Sequence, residues 1–544
     1  MPKRSGTCAI GFPALLASPL SGLLSLLAGC AAPAVPSVEF RDPPQLAAQG
    51  GVVRGTLEVK YAQNQLVIND DKTGEVRTVQ VNTRTYNGSF PGPTIRLRAG
   101  QKIDLDLINS LPPHQHNHDS SNLNFPHDLD TTNFHLHGLH VDPTGDADNV
   151  LREIDPQRRV DVIVNVPGNH NPGLFWYHPH KHGSAMVQFL SGMSGAIVIE
   201  GDLDQVPEIR AVKERLILIQ EIGVDDTGNV PEPNPSATLA KDLYAVTQTY
   251  FPINGVVNPI IRMRPGEVQR FRMLNASRGR FFELSLTGHM FYGLAIDGIT
   301  FDKVQPADKY EIPPGGRYEA LIKAEAPGTY RLSAPLTGPA GTQPIEQVFA
   351  TIIVEGEPVS MALPNDLPQP DYILPDTRTA TTVDPRTLEF SVQTTGLNAF
   401  LLNGGRWQPG CFHQTLQKGS TVEWTLTNTS KDAHPFHIHT NAFQVLEQNG
   451  TALPTPVWHD TVGVPPGGSV KARMRLDDFV GGMVLHCHII NHEDLGMMQN
   501  VLIVDDRLSP ALRIKDPGVN LRDPALANPH APGYYVSENF SVCK

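Results

Sequence analysis

The sequence predicts an all-β fold, built as three similar β-sandwich or small-barrel domains in tandem. The chain has 544 residues, which at roughly 100–200 residues per domain corresponds to about three domains. Its 47 glycines and 48 prolines favour many short strands joined by turns over long helices. The third observation, which sets the number of domains, is an internal repeat.

The repeat is marked by a turn-forming Asn-Gly pair at Asn87-Gly88, Asn254-Gly255 and Asn403-Gly404. A glycine turn follows each pair, and an asparagine lies nine residues beyond that glycine: Gly100 and Asn109, Gly266 and Asn275, Gly419 and Asn428. The residues between them alternate in polarity, as in a half-buried strand. Later turns at 313–316 and 465–468 both read Pro-Pro-Gly-Gly. The shared order indicates three related β-domains.

We place these domains at residues 50–205, 206–360 and 375–508, and call them the first, middle and third copies. Residues 1–30 precede them as a targeting segment, and residues 509–544 form a Pro-rich C-terminal tail.

The N-terminus has a short positive region, Met1–Arg4, followed by an apolar stretch of small residues. It ends in Leu27-Ala28-Gly29-Cys30, which resembles a bacterial lipobox, in which Cys30 is lipidated and becomes the mature N-terminus. A secretory signal cleaved nearby is the alternative. We therefore expect an extracytoplasmic protein: a periplasmic or cell-envelope lipoprotein of a bacterium, or a secreted protein. An anchor at Cys30 would be its only membrane contact.

The formal charge of −13 at pH 7 argues against nucleic acid and anionic lipid as partners. It is compatible with cationic substrates such as metal ions, although a solvated acidic surface explains it as well. We expect a monomer.

Cys411 and Cys543 lie outside the targeting segment and outside any histidine cluster. An oxidising compartment would permit a disulfide between them, and the sequence leaves that pairing open.

Histidines cluster in the first and third copies. The clusters are His135-x-His137, His178-x-His180, His434-x-x-His437-x-His439, and His486-Cys487-His488 followed by His492 and Met497. Residues i and i+2 of a strand share a face, so each His-x-His presents two imidazoles to one side. The middle copy keeps the strand pattern at 282–285, Phe-Glu-Leu-Ser, without histidine. Imidazole is therefore not needed for folding here, which favours a metal-binding role.

Cys487 gives the most specific signal. A thiolate with two imidazoles and a weak axial methionine forms a blue-copper electron-transfer site. The flanking histidines, His486 and His488, point to the opposite face and can hold a second centre. The pattern predicts a short covalent route between two metal sites.

These four motifs, in this order, resemble those of the three-domain multicopper oxidases, the laccase-like family, over residues 50–505. The resemblance implies three cupredoxin-like Greek-key domains and four copper ions. It assigns the type 1 copper to His434, Cys487, His492 and the axial Met497. It assigns the type 2 copper to His135 and His437, and the type 3 pair to His137, His178, His180, His439, His486 and His488. The cluster is then expected between the first and third copies, with the middle copy as a spacer.

The resemblance also implies a mechanism. A reducing substrate gives up single electrons at the type 1 site, and Cys487 with its flanking histidines passes them to the cluster, where dioxygen becomes water. That reduction consumes four protons, so acids are needed nearby. Glu493 resembles the family's proton-relay glutamate, and Asp148, with Asp146 as the second choice, is our candidate beside the type 2 copper. A solvated loop carboxylate or a partner that orients a histidine is the alternative for each.

Asp460 lies in a segment that often borders the type 1 copper in the family, so we consider it for substrate contact. Relatives oxidise phenols and aromatic amines, or cuprous, ferrous or manganous ions. The chain has 11 methionines and no methionine-rich insertion, so we expect a laccase-like phenol oxidase, with a metal-ion oxidase as the alternative.

Two other classes use the same domain type. A copper nitrite reductase needs no binuclear pair, and an extracytoplasmic copper-binding protein would typically have lost ligands; the complete ligand set counts against both. A further run, His114, His116 and His118, fits a solvated loop or an accessory metal site.

Overall fold

The computed structural model describes residues 38–113, 123–336, 344–368, 374, 376–393, 396–505 and 541–543. All lie in the unit Ser37–Lys544, and a separate unit, Met1–Pro36, lies outside the described residues. The expectations for Cys30, for the run from His114 to His118 and for most of the tail also fall outside them.

The first copy consists of strands with one short helix, α1 (Ala185–Leu190). Its strands are β1 (Gln45–Ala47), β2 (Val52–Asn69), β3 (Val76–Tyr86), β4 (Thr94–Arg98), β5 (Lys102–Asn109), β6 (His135–His137), β7 (Arg158–Asn165), β8 (Gly173–His178) and β9 (Gly195–Glu200).

A 3₁₀ turn, Asp202–Gln205, ends the first copy. The middle copy begins with α2 (Pro207–Arg210) and has a 3₁₀ turn at Ala240–Asp242. Its strands are β10 (Lys213–Gln220), β11 (Ile222–Val224), β12 (Gln248–Tyr250), β13 (Pro252–Ile253), β14 (Val256–Val257), β15 (Ile260–Met263), β16 (Val268–Ala276), β17 (Phe282–Leu286), β18 (Phe291–Ile296), β19 (Ile299–Ala307), β20 (Lys309–Ile312), β21 (Arg317–Lys323), β22 (Gly328–Leu336) and β23 (Ile345–Val354).

The third copy has 3₁₀ turns at Thr377–Thr379 and Leu397–Ala399 and one helix, α3 (Ile490–Asp494). Its strands are β24 (Asp384–Val392), β25 (Phe400–Leu402), β26 (Cys411–Phe412), β27 (Gln414–Gln417), β28 (Thr421–Asn428), β29 (His434–Ile438), β30 (Phe443–Gln448), β31 (Thr451–His459), β32 (Thr461–Val464), β33 (Ser469–Arg475), β34 (Gly481–Cys487) and β35 (Met498–Val504), with β36 (Ser541–Val542) from the tail.

The strands form pairs of sheets, which confirms the predicted all-β sandwich fold. The first copy contributes a sheet of order β1-β4-β9-β8-β6, and the third copy contributes β25-β24-β28-β33-β30-β31 and β27-β35-β34-β29-β32. The middle copy has the sheet β15-β23-β22-β17-β20. One larger sheet joins the first and middle copies, because β14 pairs with β2.

The repeated asparagines have the same structural role in each copy. At the end of β5, Asn109 Nδ2 donates to the carbonyls of Asp130 and Ile154. Asn275 and Asn428, which lie at the ends of β16 and β28, each bridge two carbonyls in the same way. Each of the three is at most 2% exposed, so these amides satisfy backbone groups that would otherwise be buried without a partner.

The Asn-Gly pairs form tight turns, with positive φ at both residues, as at Asn403 (51°) and Gly404 (73°). Two-residue hairpin turns of this kind need left-handed backbone at both positions, which asparagine and glycine tolerate best.

The core is continuous between the first and third copies. One cluster of buried side chains includes Leu174, Trp176 and Phe189 of the first copy and Trp424, Phe436 and Cys487 of the third. The interface is therefore packed like a domain interior, which fixes the two copies relative to each other.

Cys411 and Cys543, whose pairing the sequence left open, form a disulfide across 132 residues. Among the described residues Cys487 is the free cysteine, and it is buried. None of the helices in the described segments is both long and apolar enough to span a bilayer.

Candidate metal centre

Two strand pairs bring the histidine motifs together. In the first copy β6 pairs with β8, which places His135 opposite His178. In the third copy β29 pairs with β34, which places His437 opposite His486. Eight imidazoles, four from each copy, are buried to 3% exposure or less: His135, His137, His178, His180, His437, His439, His486 and His488.

The imidazoles meet across the interface between the copies. The rings of His135 and His439 stack with centroids 3.8 Å apart, and those of His137 and His437 stack at 3.9 Å. The Nε2 atoms of His180 and His486 are 3.0 Å apart. The structure therefore brings all eight predicted cluster histidines into one group.

Several ring nitrogens in this group are buried without a hydrogen-bond partner among the described residues: His135 Nε2, His137 Nδ1, His178 Nε2, His437 Nε2, and both nitrogens of His439 and His488. Unpaired buried polar atoms are costly, and so many in one place indicate a metal-binding site. Burial, with the neighbouring His178 and His180, also holds the pKa of His135 well below its usual range. Neutral imidazoles with free lone pairs are suitable copper donors.

In His135, His137 and His437 the opposite ring nitrogen is held by a protein oxygen. His135 Nδ1 lies 3.0 Å from Asp148 Oδ1, and His437 Nδ1 lies 2.7 Å from the Asp460 carbonyl oxygen. Each contact requires an N–H at Nδ1, so Nε2 carries the free lone pair. His137 is the reverse case, because its Nε2 lies 3.2 Å from Asp460 Oδ1 and leaves Nδ1 free. Such contacts set the tautomer and orientation of metal-binding histidines.

A second group surrounds Cys487. Its Sγ lies 3.4 Å from His434 Nδ1 and 3.7 Å from His492 Nδ1, and Met497 is fully buried. Phe400 stacks on His492 with ring centroids 3.9 Å apart. Burial raises the pKa of the Cys487 thiol, so a bound cation is needed to hold it as a thiolate. This donor set fits a blue-copper site.

The candidate acids occupy different surroundings. Glu493 is fully buried, with Oε1 3.3 Å from His180 Nδ1 and Oε2 3.4 Å from His486 Nδ1. Burial and the nearby Asp494 raise the pKa of Glu493 well above its usual range. Burial raises the pKa of Asp148 to about 8, and its Oδ2 has no partner among the described residues.

Asp146, the second choice, pairs instead with Arg152 at 3.0 Å. Asp494, the neighbour of Glu493, accepts hydrogen bonds from the backbone N–H groups of Gly183 and Met186. It therefore ties α3 to the start of α1.

The expectation of a substrate contact at Asp460 is wrong. The residue is 3% exposed and contacts His137 and His437. Its carboxylate is paired with Arg317 of the middle copy, a residue that the sequence analysis missed. The strand register could have located Asp460, because β32 places the adjacent Thr461 opposite His437. The histidine pattern contains no signal for Arg317.

Two buried donor sets, one with a thiolate and one with eight imidazoles, define a copper-dependent redox protein. Family models described as multicopper oxidase match residues 69–204, 218–357 and 373–507. The chain belongs to the multicopper oxidase family and is an oxidoreductase that uses oxygen.

Similar proteins include a laccase from Bacillus subtilis, 25% identical over 77% of this chain and 90% of that protein. A multicopper oxidase from Staphylococcus haemolyticus is 26% identical over 78% of this chain and 84% of that protein. The fold is shared with a Campylobacter jejuni multicopper oxidase described as a metallo-oxidase, with a TM-score of 0.70, 23% identity, and coverage of 87% and 96% of the two chains.

Family membership implies four copper ions per chain: one type 1, one type 2 and a type 3 pair. The residues present fit that requirement. Several triads of donor atoms converge to within 4.8 Å, among them His135, His437 and His439; His180, His439 and His486; and His434, Cys487 and His492.

Proposed function

We propose that the protein is a laccase-like oxidase that takes single electrons from a phenol or aromatic amine and reduces dioxygen to water. One observation supports this most directly. Cys487 Sγ faces His434 and His492, while the adjacent His486 and His488 belong to the eight-imidazole group. The same backbone segment thus connects two donor sets with different chemistry.

The proposed type 1 ligands are His434, Cys487, His492 and the axial Met497, as in the resemblance. His135 and His437 would hold the type 2 copper. The type 3 pair would be held by His137, His178, His180, His439, His486 and His488. Bound copper would supply one-electron oxidation at the first site and oxygen reduction at the second.

Within this proposal, two carboxyl groups supply protons. Glu493 lies between His180 and His486, and its buried carboxyl is neutral at a pH where an ordinary glutamate is ionised. Asp148 orients His135 through Oδ1 and keeps Oδ2 unpaired among the described residues. A neutral carboxyl at either place can give a proton to reduced oxygen.

The substrate class is inferred from the surroundings of His492 and from the composition of the chain. Phe400 provides an aromatic face beside His492, which is partly exposed, and the 11 methionines form no rich insertion. The net charge of −13 supports the alternative, oxidation of cuprous, manganous or ferrous ions. The relatives carry both kinds of name, laccase and metallo-oxidase.

A comparison of donors decides between these substrates. Copper-loaded protein is given 2,6-dimethoxyphenol, cuprous, manganous or ferrous ions, and oxygen uptake is measured with an electrode. Uptake with the phenol at the highest kcat/KM supports the laccase-like proposal. Oxygen uptake with a metal ion but not with the phenol would indicate a metal-ion oxidase. If no donor supports oxygen uptake, the protein is a copper-binding protein and not an oxidase.

We also propose that the protein is monomeric and acts outside the cytoplasm, as a lipoprotein anchored at Cys30 or as a secreted protein. The Cys411–Cys543 disulfide supports an oxidising compartment. Metabolic labelling with palmitate tests the anchor, since a Cys30→Ala variant should lose the label.

A further inference from the structure

The middle copy, expected to be a spacer, places a buried arginine directly behind the cluster histidines. Arg317 begins β21 and is 1% exposed. Its Nη1 donates to Asp460 Oδ1 at 2.7 Å and its Nη2 donates to Oδ2. This two-pronged pairing fixes the plane of the Asp460 carboxylate as well as its position.

Asp460 in turn holds one histidine from each of the other copies. Its Oδ1 lies 3.2 Å from His137 Nε2, and its backbone oxygen lies 2.7 Å from His437 Nδ1. Thr461 Oγ1 donates to the same Oδ1 at 2.9 Å. The nitrogens left over, His137 Nδ1 and His437 Nε2, are two of the unpaired atoms in the cluster. One aspartate therefore selects the donor atom of both rings.

Arg317 is itself fixed by neighbours in two copies. Its Nε donates to the Leu174 carbonyl oxygen of the first copy at 3.1 Å, and its Nη1 donates to the Gly315 carbonyl oxygen at 3.1 Å. Its backbone N–H donates to Asp297 Oδ1 at 3.0 Å. With Asp460 included, the arginine connects all three copies. A shift of Arg317 would therefore move Asp460 and disturb the contact between Asp460 and His137.

Two glycines make room for this arrangement. Gly138 directly follows His137 at φ +85°, and a Cβ there would lie 2.5 Å from both Arg317 Nη2 and Asp460 Oδ2. At Gly315 a Cβ would lie 2.9 Å from His488 Nε2. The matching Pro-Pro-Gly-Gly turn of the third copy has no such neighbour, because nothing described lies within 4 Å of a Cβ at Gly467. The middle copy's turn is adapted to approach the cluster.

We propose that Arg317 is a positioning residue for copper binding, which acts through Asp460 on His137 and His437. This inference rests on the proposed function, because it takes those histidines as copper ligands. Without Arg317 the Asp460 carboxylate keeps only Thr461 and His137 as partners. Asp460 is then held less firmly, and so are the imidazoles of His137, at its carboxylate, and His437, at its backbone oxygen. Partners of this kind typically change metal affinity or activity about 10–100-fold.

The test uses the full chain with Arg317→Met and Arg317→Lys. Copper content, the type 2 signal in electron paramagnetic resonance and the type 1 blue absorption are measured during titration with a chelator. We expect Arg317→Met to lose cluster copper at about 10–100-fold lower chelator concentration and to show an altered type 2 signal, with the blue absorption kept. Arg317→Lys should restore part of the retention, since it keeps the charge but not the two-pronged geometry.

Arg272→Met is the matched control. Arg272 is also a fully buried arginine of the middle copy, paired with Glu319 at 2.9 Å and Glu214 at 2.6 Å, outside the histidine cluster. It should lower stability and leave the type 2 signal unchanged. Should Arg317→Met fail to fold, Asp460→Asn provides the same readouts, because it removes the charge that pairs with Arg317.

If Arg317→Met keeps the type 2 signal and the copper retention of the wild type, this inference is wrong. The proposed copper ligands would be unaffected by that result. A wild-type protein that takes up copper without any blue absorption or type 2 signal would instead overturn the proposed function, and this inference with it.

Discussion

At the scale of single residues, Cys487 is the position that connects the two donor sets. We expect Cys487→Ser to abolish the blue colour and substrate oxidation, because serine cannot replace the thiolate between His434 and His492. The eight-imidazole group is unchanged by this substitution, so the type 2 signal should persist. Absorption and resonance spectra of the copper-loaded variant measure both effects, and turnover at the wild-type rate would contradict the proposed electron route.

Glu493 allows a second prediction at this scale. Glu493→Gln keeps the shape of the side chain and removes its proton, so we expect oxygen reduction to slow by about 10²-fold or more. Anaerobic bleaching of the type 1 absorption by substrate should keep its wild-type rate, because that step needs no proton from Glu493.

Asp146→Asn is the control for Glu493→Gln, since Asp146 pairs with Arg152 instead of an imidazole. Stopped-flow measurements separate the two steps. Equal rates of oxygen reduction in the Glu493→Gln variant and the wild type would exclude Glu493 as a proton donor.

The sequence predicted single residues well where their chemistry is local. The spacing of two in a strand placed the imidazoles of His135 and His137 in one cluster, and the repeat distinguished them from the middle copy. Arg317 could not be found in this way. Its contact with Asp460 spans 143 positions and two copies, and no periodic pattern encodes which buried arginine will face a distant aspartate.

At the scale of strands, the repeated asparagines at the ends of β5, β16 and β28 should be important for stability. Asn275→Ala leaves the carbonyls of Arg280 and Ile312 without their side-chain partner. We expect a loss of about 2–4 kcal/mol in the free energy of unfolding, since each buried unpaired group costs about 1–3 kcal/mol. The midpoint of urea unfolding measures the loss.

Asn234→Ala is the control, because Asn234 is exposed and its side-chain oxygen accepts a bond from Ser236. It should change stability by less than about 0.5 kcal/mol. A similar small effect at Asn275 would contradict the shared role assigned to the three asparagines.

The strand order within the sheets was beyond the sequence analysis. The Asn-Gly turns and alternating runs predicted the all-β class and the tandem copies. They contain no information that β14 pairs with β2 and so joins two copies in one sheet. That pairing depends on packing between copies, and its short strand, Val256–Val257, has too few residues for a pattern.

At the scale of the whole molecule, a network of charges links the first and middle copies. Glu214 of β10 pairs with Arg96 of β4 and Arg272 of β16. Burial alone would raise the pKa of Glu214, but the positive charges of Arg272 and Arg96 outweigh it and lower the pKa to about 2 from the ordinary 4.5. The ionised carboxylate therefore stabilises the folded protein.

This charge network gives a pH dependence with a defined sign. Because the folded pKa is below the unfolded value, the stabilisation is complete above pH 4.5 and is lost as the pH falls from about 4.5 to about 2. We expect Glu214→Gln to be less stable than the wild type by about 1–3 kcal/mol at pH 7. The difference should shrink below pH 4.5, as measured by chemical unfolding at several pH values. A difference that stays constant down to pH 2 would contradict the lowered pKa.

The central claim is that the two donor sets act together, so that electrons taken at Cys487 reduce dioxygen fully at the imidazole cluster. Counting electrons tests it most directly. Copper-loaded protein oxidises a measured amount of a one-electron donor while oxygen consumption and hydrogen peroxide are followed together. The account predicts four donor electrons per oxygen molecule and no peroxide. Two electrons per oxygen with matching peroxide would contradict it, because oxygen would then be leaving the cluster only half reduced.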